Sequence, residues 1–188
     1  MSAWEAVVVD GHERDLRAFV AGFAGDRGVD PGMLVLGDDV GLEAGSVGEW
    51  LLELIGKGHH VVLAPATLAR ALADAIGESG DAVGLAVERT HPVSGARFDV
   101  RVKTFSREVA SAARSALDPP PPGVRLEARQ ESEQTTAEAH GVELYAPVHD
   151  YTYAVSARVA GPLSGVLEVR RRLAEIEAAT LEPLHVTE

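Results

Sequence analysis

The sequence predicts an α/β protein with a mainly parallel sheet in its first half and a βαββαβ unit of the α+β type in its second half. Two observations support this prediction. In the first half, short apolar runs alternate with segments whose apolar residues recur at helical spacing. In the second half, a strand, a helix and a strand follow one another twice.

Four apolar runs are the predicted strands of the first half: Trp4–Val9, Met33–Leu36, His60–Ala64 and Val83–Glu88. Helices are predicted between them, over 13–25, 47–55 and 67–76, from apolar residues three or four positions apart. Ser46 and Glu49 match a capping box at the start of the second helix. Because a helix connects each strand to the next, we expect crossover connections and mainly parallel strands.

The second half has its own order of elements. The predicted elements are Phe98–Lys103, Arg107–Leu117 and Val124–Thr135, then Tyr151–Ala160, Leu163–Ile176 and Leu184–Thr187. In the first of these strands, Phe98, Val100 and Val102 alternate with polar residues, which is typical of a sheet with one covered face. The order of elements predicts a split βαβ, or ferredoxin-like, unit.

A change of pattern near residue 89 predicts a domain boundary. Val83–Glu88 and Phe98–Lys103 flank a segment rich in turn residues, so we expect these two strands to pair antiparallel. Two domains, 1–89 and 90–188, follow from this pattern. The alternative is one domain with a single mixed sheet.

Composition excludes several classes of function. The chain has 17 basic and 29 acidic residues and a formal charge of −12, which argues against a nucleic-acid partner. It has no cysteine, so disulfides and thiolate sites are excluded. No basic segment precedes the first apolar run, and no apolar run approaches the length of a membrane span. We therefore expect a soluble protein of the cytoplasm without a membrane partner.

Polar residues follow the predicted strands of the first half, at the edge where parallel sheets bind ligands. Asp10 and His12 follow the first strand, Asp38 and Asp39 the second, and Thr67 the third. Their carboxylates, imidazole and hydroxyl could bind a divalent cation or position a polar small molecule. The alternative is that these are ordinary turn and capping residues.

A second set of candidates lies in a predicted hairpin arm, where the strand after Leu126 loses its apolar residues. His140 and His149 lie in this arm and, with a carboxylate, could form a zinc or iron site. Tyr151 begins the returning strand and either packs in the core or lines a pocket under the arm. Exposed histidines without a metal are the alternative for the arm.

The histidine pair before the third strand, His59-His60, has a different expected role. Side chains of successive strand residues point to opposite faces, so one of the two must point inward. We expect a structural histidine there.

No dinucleotide, P-loop, zinc-protease or serine-hydrolase motif accompanies these elements, so the sequence identifies no particular cofactor. The expected function is therefore a small-ligand-binding or self-associating regulatory module, with residues 130–148 as a lid or as the interface of a homodimer. The alternative is a metal-assisted hydrolase or transferase with its site at Asp10, His12, Asp38 and Asp39.

Overall fold

The computed structural model describes residues 3–42, 58–133 and 152–187, which belong to two units. Unit 1 comprises residues 1–96 and 183–188, and unit 2 comprises residues 97–182. The helix predicted over 47–55, its capping box and the predicted arm from residue 134 to Tyr151 lie outside the described residues.

Unit 1 is built on an antiparallel sheet. Its described elements are β1 (Trp4–Asp10), α1 (Glu13–Arg27), β2 (Val35–Leu36), β3 (His60–Pro65), α2 (Ala66–Ser79) and β4 (Ala86–Val93). The strand order is β2-β3-β1-β4. β1 is antiparallel to both β3 and β4, and β2 is antiparallel to β3. The prediction of a mainly parallel sheet is therefore wrong.

The error has a physical reason, which is the identity of each strand's neighbour. α1 connects β1 to β2, but β3 lies between these two strands. In the same way α2 connects β3 to β4, and β1 lies between them. The inserted strand runs opposite to both of its neighbours, so two strands joined by a helix share a direction without being paired. Alternation of strands and helices predicts the crossover connection, but it does not specify which strand pairs with which in the sheet.

Unit 2 has the element order predicted for the second half of the chain, except that its last strand, at Ala179–Leu181, was not predicted and takes the place of the predicted Leu184–Thr187. Its elements are β5, which begins at the end of unit 1 (Gly95–Thr104), α3 (Arg107–Leu117), β6 (Arg125–Glu133), β7 (Tyr153–Gly161), α4 (Leu163–Ala174) and β8 (Ala179–Leu181). The strand order is β6-β7-β5-β8, and the β6-β7 and β5-β8 pairs are antiparallel. α3 begins after Ser106, whose hydroxyl accepts a hydrogen bond from Val109 N at 3.2 Å.

The two units share one topology. Each runs strand, helix, strand, strand, helix, strand, and in each the third strand lies between the first and the second while the fourth flanks the first. The sequence predicted this split βαβ order for the second half alone. Because the strands of unit 1 pair antiparallel, both units have the same arrangement.

Three predicted strands end or pair differently. The strand predicted at Val83–Glu88 begins later, at Ala86, and pairs with β1 rather than with β5 as predicted. β6 remains in the sheet through Glu133, although its residues after Leu126 are exposed. The strand predicted at Leu184–Thr187 is β9 (His185–Thr187) in unit 1, where Ser94 N donates to Thr187 O.

Helices cover one face of each sheet. In unit 1, α1 and α2 pack on β1 and β3, and the fully buried residues of this core include Val7, Val9, Leu16, Val62, Ala64 and Leu72. In unit 2 the buried side chains include Phe98, Val100, Val102, Leu117, Val155, Val159, Val166 and Val169. In the part of the chain that the structure describes, no helix is long and apolar enough to cross a membrane.

An ion-pair cluster joins β6 to α3 in unit 2, and it predicts an acid dependence of stability. Glu131 accepts hydrogen bonds from Arg129 Nε at 2.9 Å and from Arg114 Nε at 2.8 Å. The hydrogen bond from Arg129 is the main cause that lowers the pKa of Glu131 below its ordinary value, and Arg114 adds to it. A carboxyl group with a lowered folded pKa stabilises the fold above its unfolded pKa and loses that contribution as the pH falls through the folded pKa.

We therefore expect Glu131→Gln to lower the free energy of unfolding at neutral pH by at most about 1 kcal/mol, since the pair is partly exposed. The loss of stability between neutral pH and pH below about 4 should be smaller in this variant than in the wild type. Urea denaturation at the two pH values measures both effects. Glu133→Gln, two residues along the same strand, is the matched control, and an identical pH response in all three proteins would contradict the expectation.

Candidate metal centre

Two carboxylates and one imidazole converge at one end of the sheet in unit 1. Asp10 is the last residue of β1, His59 immediately precedes β3, and Glu88 lies near the start of β4. His59 Nε2 lies 4.0 Å from Asp10 Oδ1 and 3.7 Å from Glu88 Oε1. One ligand atom from each of the three residues lies within 4.8 Å of the other two.

Antiparallel pairing accounts for the meeting of these residues. Val9 of β1 pairs with His60 of β3. Because the two strands are antiparallel, Asp10, which follows Val9, lies beside His59, which precedes His60. On its other side, Asp10 pairs with Ala86 of β4. The three ligands thus come from β1, from β4 and from the residue before β3, with Asp10 in the middle.

A β-bulge places Glu88 at this position. Val8 pairs with Arg89 and Val9 pairs with Val87, so Glu88 is an extra residue on β4 with no partner of its own in the ladder. A bulge bends its strand and changes the direction of the extra side chain. In unit 1 it leaves the carboxylate of Glu88 within reach of His59.

The three side chains differ in their access to solvent. The side chain of His59 is 12% exposed, whereas those of Asp10 and Glu88 are 60% and 46% exposed. The imidazole is therefore held within the fold while both carboxylates face water. An ion from solution could reach this cluster without any opening of the core.

The separations suit one small divalent cation. Zinc binds nitrogen and oxygen ligands at about 2.0–2.2 Å, so two ligands of one ion stand at most about 4.4 Å apart. The separations of His59 Nε2 from Asp10 Oδ1 and from Glu88 Oε1, 4.0 and 3.7 Å, lie within that limit. A mixed set of imidazole and carboxylate ligands suits zinc and other first-row divalent ions. Three protein ligands also leave a coordination position for water or a bound molecule.

The carboxylates predicted after the second strand lie in different pairs. Asp38 Oδ2 is 2.9 Å from His60 Nδ1. Asp39 accepts two hydrogen bonds from Arg17, at 3.1 and 2.6 Å, and Arg17 also donates to Glu13 at 2.7 Å. The hydrogen bond to Asp39 is the main cause that raises the pKa of Arg17. Both oxygens of Asp39 are thus occupied by a guanidinium group.

The other predicted site residues do not join the cluster. Thr67 lies at the opposite end of the sheet, because Pro65 pairs with Trp4 at the start of β1, and the length of β1 separates that end from Asp10 by about 20 Å. His12 is exposed and forms the N-cap position of α1 without a capping hydrogen bond from its side chain. Tyr151, His140 and His149 lie outside the described residues.

Sequence reasoning found one member of the cluster, Asp10, and missed the other two. The sequence predicts a structural role for the His59-His60 pair, and Glu88 carries no signal beyond its place in a predicted strand. The doublet His59-His60 was the available signal, since alternation sends the two rings to opposite faces of β3. Choosing between the faces requires the antiparallel pairing of β3 with β1, which the prediction of a mainly parallel sheet did not contain.

Comparisons with known proteins assign the chain to no family. No family model matches the chain, and no curated protein matches it. The chain is similar to the solved structure of an unknown protein from Galdieria sulphuraria, with 13% identity, a TM-score of 0.31 and coverage of 100% of this chain and 99% of the other. It is also similar to the structure of a protein assigned as a chlorite dismutase, with 9% identity, a TM-score of 0.24 and coverage of 100% and 96%. Identities and TM-scores this low support no statement about function.

Proposed function

We propose that the protein is a small-ligand-binding module that holds its ligand through a divalent cation bound by Asp10, His59 and Glu88. The observation that carries the proposal is the convergence of three ligand atoms within 4.8 Å. The bulge that gives Glu88 its place supports it, because bulges occur often beside functional sites. Both units, in this proposal, are ferredoxin-like, and the ligand site belongs to unit 1.

The charges of the three residues fit a cation. The carboxylates of Asp10 and Glu88 together balance the charge of a divalent ion, while the shielded imidazole of His59 supplies a nitrogen ligand. Such a set favours zinc or a neighbouring first-row ion over magnesium, which prefers oxygen ligands and retains several waters. A carboxylate, hydroxyl or phosphate of a small molecule would take the remaining coordination position.

The open coordination position also favours a second candidate function, metal-assisted hydrolysis. A water molecule on zinc with three protein ligands can have a pKa near 7, and the resulting hydroxide is a nucleophile. In this candidate function His59 and the two carboxylates would hold the ion, and the ion would supply a nucleophilic hydroxide for the hydrolysis of an ester or a phosphate. Zinc-dependent turnover of a nitrophenyl ester or phosphate, abolished in His59→Gln, would support it over ligand binding alone.

Calorimetric titration of the chelator-treated, full-length protein with zinc and manganese tests the metal site. We expect one saturable site in the wild type. Loss of the imidazole in His59→Gln should weaken the affinity by about 100-fold or more, since even residues that only orient a metal ligand commonly contribute 10–100-fold. His12→Gln is the matched control, because His12 is an exposed histidine of the same unit outside the cluster, and its affinity should stay within about twofold of the wild type.

Variants of the carboxylate residues distinguish this metal site from the site that the sequence predicted. Asp10→Asn and Glu88→Gln should each weaken zinc binding strongly, whereas Asp39→Asn should not. Circular dichroism and thermal denaturation of each apoprotein establish that the fold is retained. Absence of saturable binding to the wild type, or a loss in Asp39→Asn equal to that in Asp10→Asn, would contradict the proposed centre.

A further inference from the structure

The sheet of unit 2 has a polar face opposite its helices. On β5, Val100 and Val102 are buried, whereas Arg101 and Lys103 are exposed, so the two cations lie two residues apart on the same face. On β7, Ser156 lies between the buried residues Val155 and Ala157 and shares that face. This surface, with Arg101, Lys103, Gln130, Ser132, Ala154 and Ser156, is called the open face below.

A bulge in β6 brings two more polar side chains to the open face. Leu126 pairs with the buried Val159, and regular alternation would then keep Gln130 on the helix side. Instead Glu127 pairs with Arg158 and Gln130 pairs with Ser156. Between these two pairs, two residues of β6 lie opposite one residue of β7. The extra residue reverses the alternation. Gln130 and Ser132 therefore lie beside Ser156 and Ala154 on the open face.

The backbone at this bulge adopts a conformation that is uncommon for its residue type. Ala128, inside the bulge, has a φ of 49°, in the left-handed region that L-residues with a side chain rarely occupy. Strained backbone of this kind persists where the surrounding structure holds it and is frequent at ligand sites. Here the strain accompanies the change of face that presents Gln130.

The open face forms a groove of the size of a small-molecule site. Its volume is about 600 Å³, and it is lined by the six residues of the open face and by the ion pair of Arg129 with Glu131. Small-molecule sites commonly occupy about 300–1,000 Å³. Ala154 leaves room between the longer side chains, and the hydroxyl and amide groups around it can both donate and accept hydrogen bonds.

Charge selects the class of ligand. The chain carries 29 acidic and 17 basic residues, and other arginines of unit 2 pair with carboxylates: Arg114, Arg129, Arg158, Arg171 and Arg172. Among the residues that the structure describes, no carboxylate lies at ion-pair distance from Arg101. The planar guanidinium group of an arginine at the floor of a polar groove can donate two parallel hydrogen bonds to a carboxylate or a phosphate.

We propose that the open face of unit 2 binds a small organic anion, with Arg101 on its carboxylate or phosphate and Gln130 and Ser156 on its polar body. A neighbouring groove of about 350 Å³ contains the bidentate pair of Arg158 with Asp99, at 2.8 and 2.9 Å. That pair satisfies its own charges, so the anionic group of the ligand lies at the Arg101 end. The site is separate from the metal centre of unit 1.

Titration of the full-length protein with inorganic phosphate and with succinate, at low ionic strength, tests this site. We expect saturable binding of at least one probe, and the tighter of the two identifies the anionic group as phosphate or carboxylate. Arg101→Gln should weaken binding by about tenfold or more, in keeping with the loss of a charge-assisted hydrogen bond. Arg107→Gln removes the same charge from an exposed position at the start of α3, outside the groove, and should leave the affinity within about twofold.

Two further variants keep the test specific. Ser156→Ala should weaken binding without any change in net charge, and His59→Gln should leave it unchanged, which separates this site from the metal centre. Absence of saturable binding of both probes would overturn the proposal, as would equal losses in Arg101→Gln and Arg107→Gln. A wild-type dimer that Arg101→Glu dissociates, with no anion binding, would overturn it in favour of a contact between two copies of the chain.

Discussion

Replacing Phe98 with alanine is expected to lower the free energy of unfolding by about 3–5 kcal/mol, the range for loss of a buried aromatic side chain. Phe98 is 1% exposed in β5 and is the largest fully buried side chain among the described residues. The guanidinium carbon of Arg170, from α4, lies 5.1 Å from the centre of its ring. The substitution therefore removes core volume and also the aromatic face on which a half-buried cation rests.

Phe105→Ala is the matched control for this experiment. Phe105 follows β5 in the same unit, but its side chain is 67% exposed, so its removal creates no cavity. We expect a change of about 0.5 kcal/mol or less. Urea denaturation followed by circular dichroism compares the two variants with the wild type. Similar losses in both variants would mean that Phe98 does not occupy the core of unit 2 as described.

Replacing Gly11 with alanine is expected to lower the free energy of unfolding by about 1–3 kcal/mol through backbone strain alone. Gly11 has a φ of 140°, and a Cβ atom there would lie 2.7 Å from Gly84 O and 2.7 Å from Leu85 Cδ2. One of these contacts is with backbone, so relief requires movement of the chain that leads into β4. Because Gly11 follows Asp10, we also expect weaker zinc binding in this variant.

Gly22→Ala provides a control of the opposite sign. Gly22 lies within α1, and a Cβ atom there would meet nothing within 4 Å. Alanine should raise the free energy of unfolding by about 0.5–1 kcal/mol, because it restricts the unfolded chain and favours the helix. Thermal and urea denaturation measure both variants. A Gly11→Ala protein as stable as Gly22→Ala would contradict the close approach of β1 and β4 at this point.

Much of the local structure followed from the sequence because it depends on neighbours in the chain. Alternation at Phe98, Val100 and Val102 predicted a strand with one covered face, and the structure buries these three residues. Helical spacing predicted α1, α2, α3 and α4 within a few residues of their observed bounds. The order of elements in the second half predicted that β7 lies between β5 and β6, since the split βαβ pattern specifies which strand enters between which others, but it did not predict β8.

The pairing of unit 1 did not follow from the sequence, because the same alternation of strands and helices is compatible with parallel neighbours or with an inserted antiparallel strand. Insertion of β3 between β1 and β2 brought His59 to Asp10 and sent Thr67 to the far end of the sheet. The bulge at Glu88 supplied the third residue of the candidate centre. One extra residue in a strand ladder cannot be recognised from the order of apolar and polar residues in the sequence.

Residue types and their spacing thus established strands, helices, an acidic chain without thiol chemistry and the polar residue Asp10 at the end of the first strand. Strand pairing established the partners of Asp10 and the side of the sheet that Gln130 faces. The difference is physical. Propensity and periodicity act over a few residues, whereas the meeting of His59 with Asp10 and Glu88 depends on register between strands that are distant in the chain.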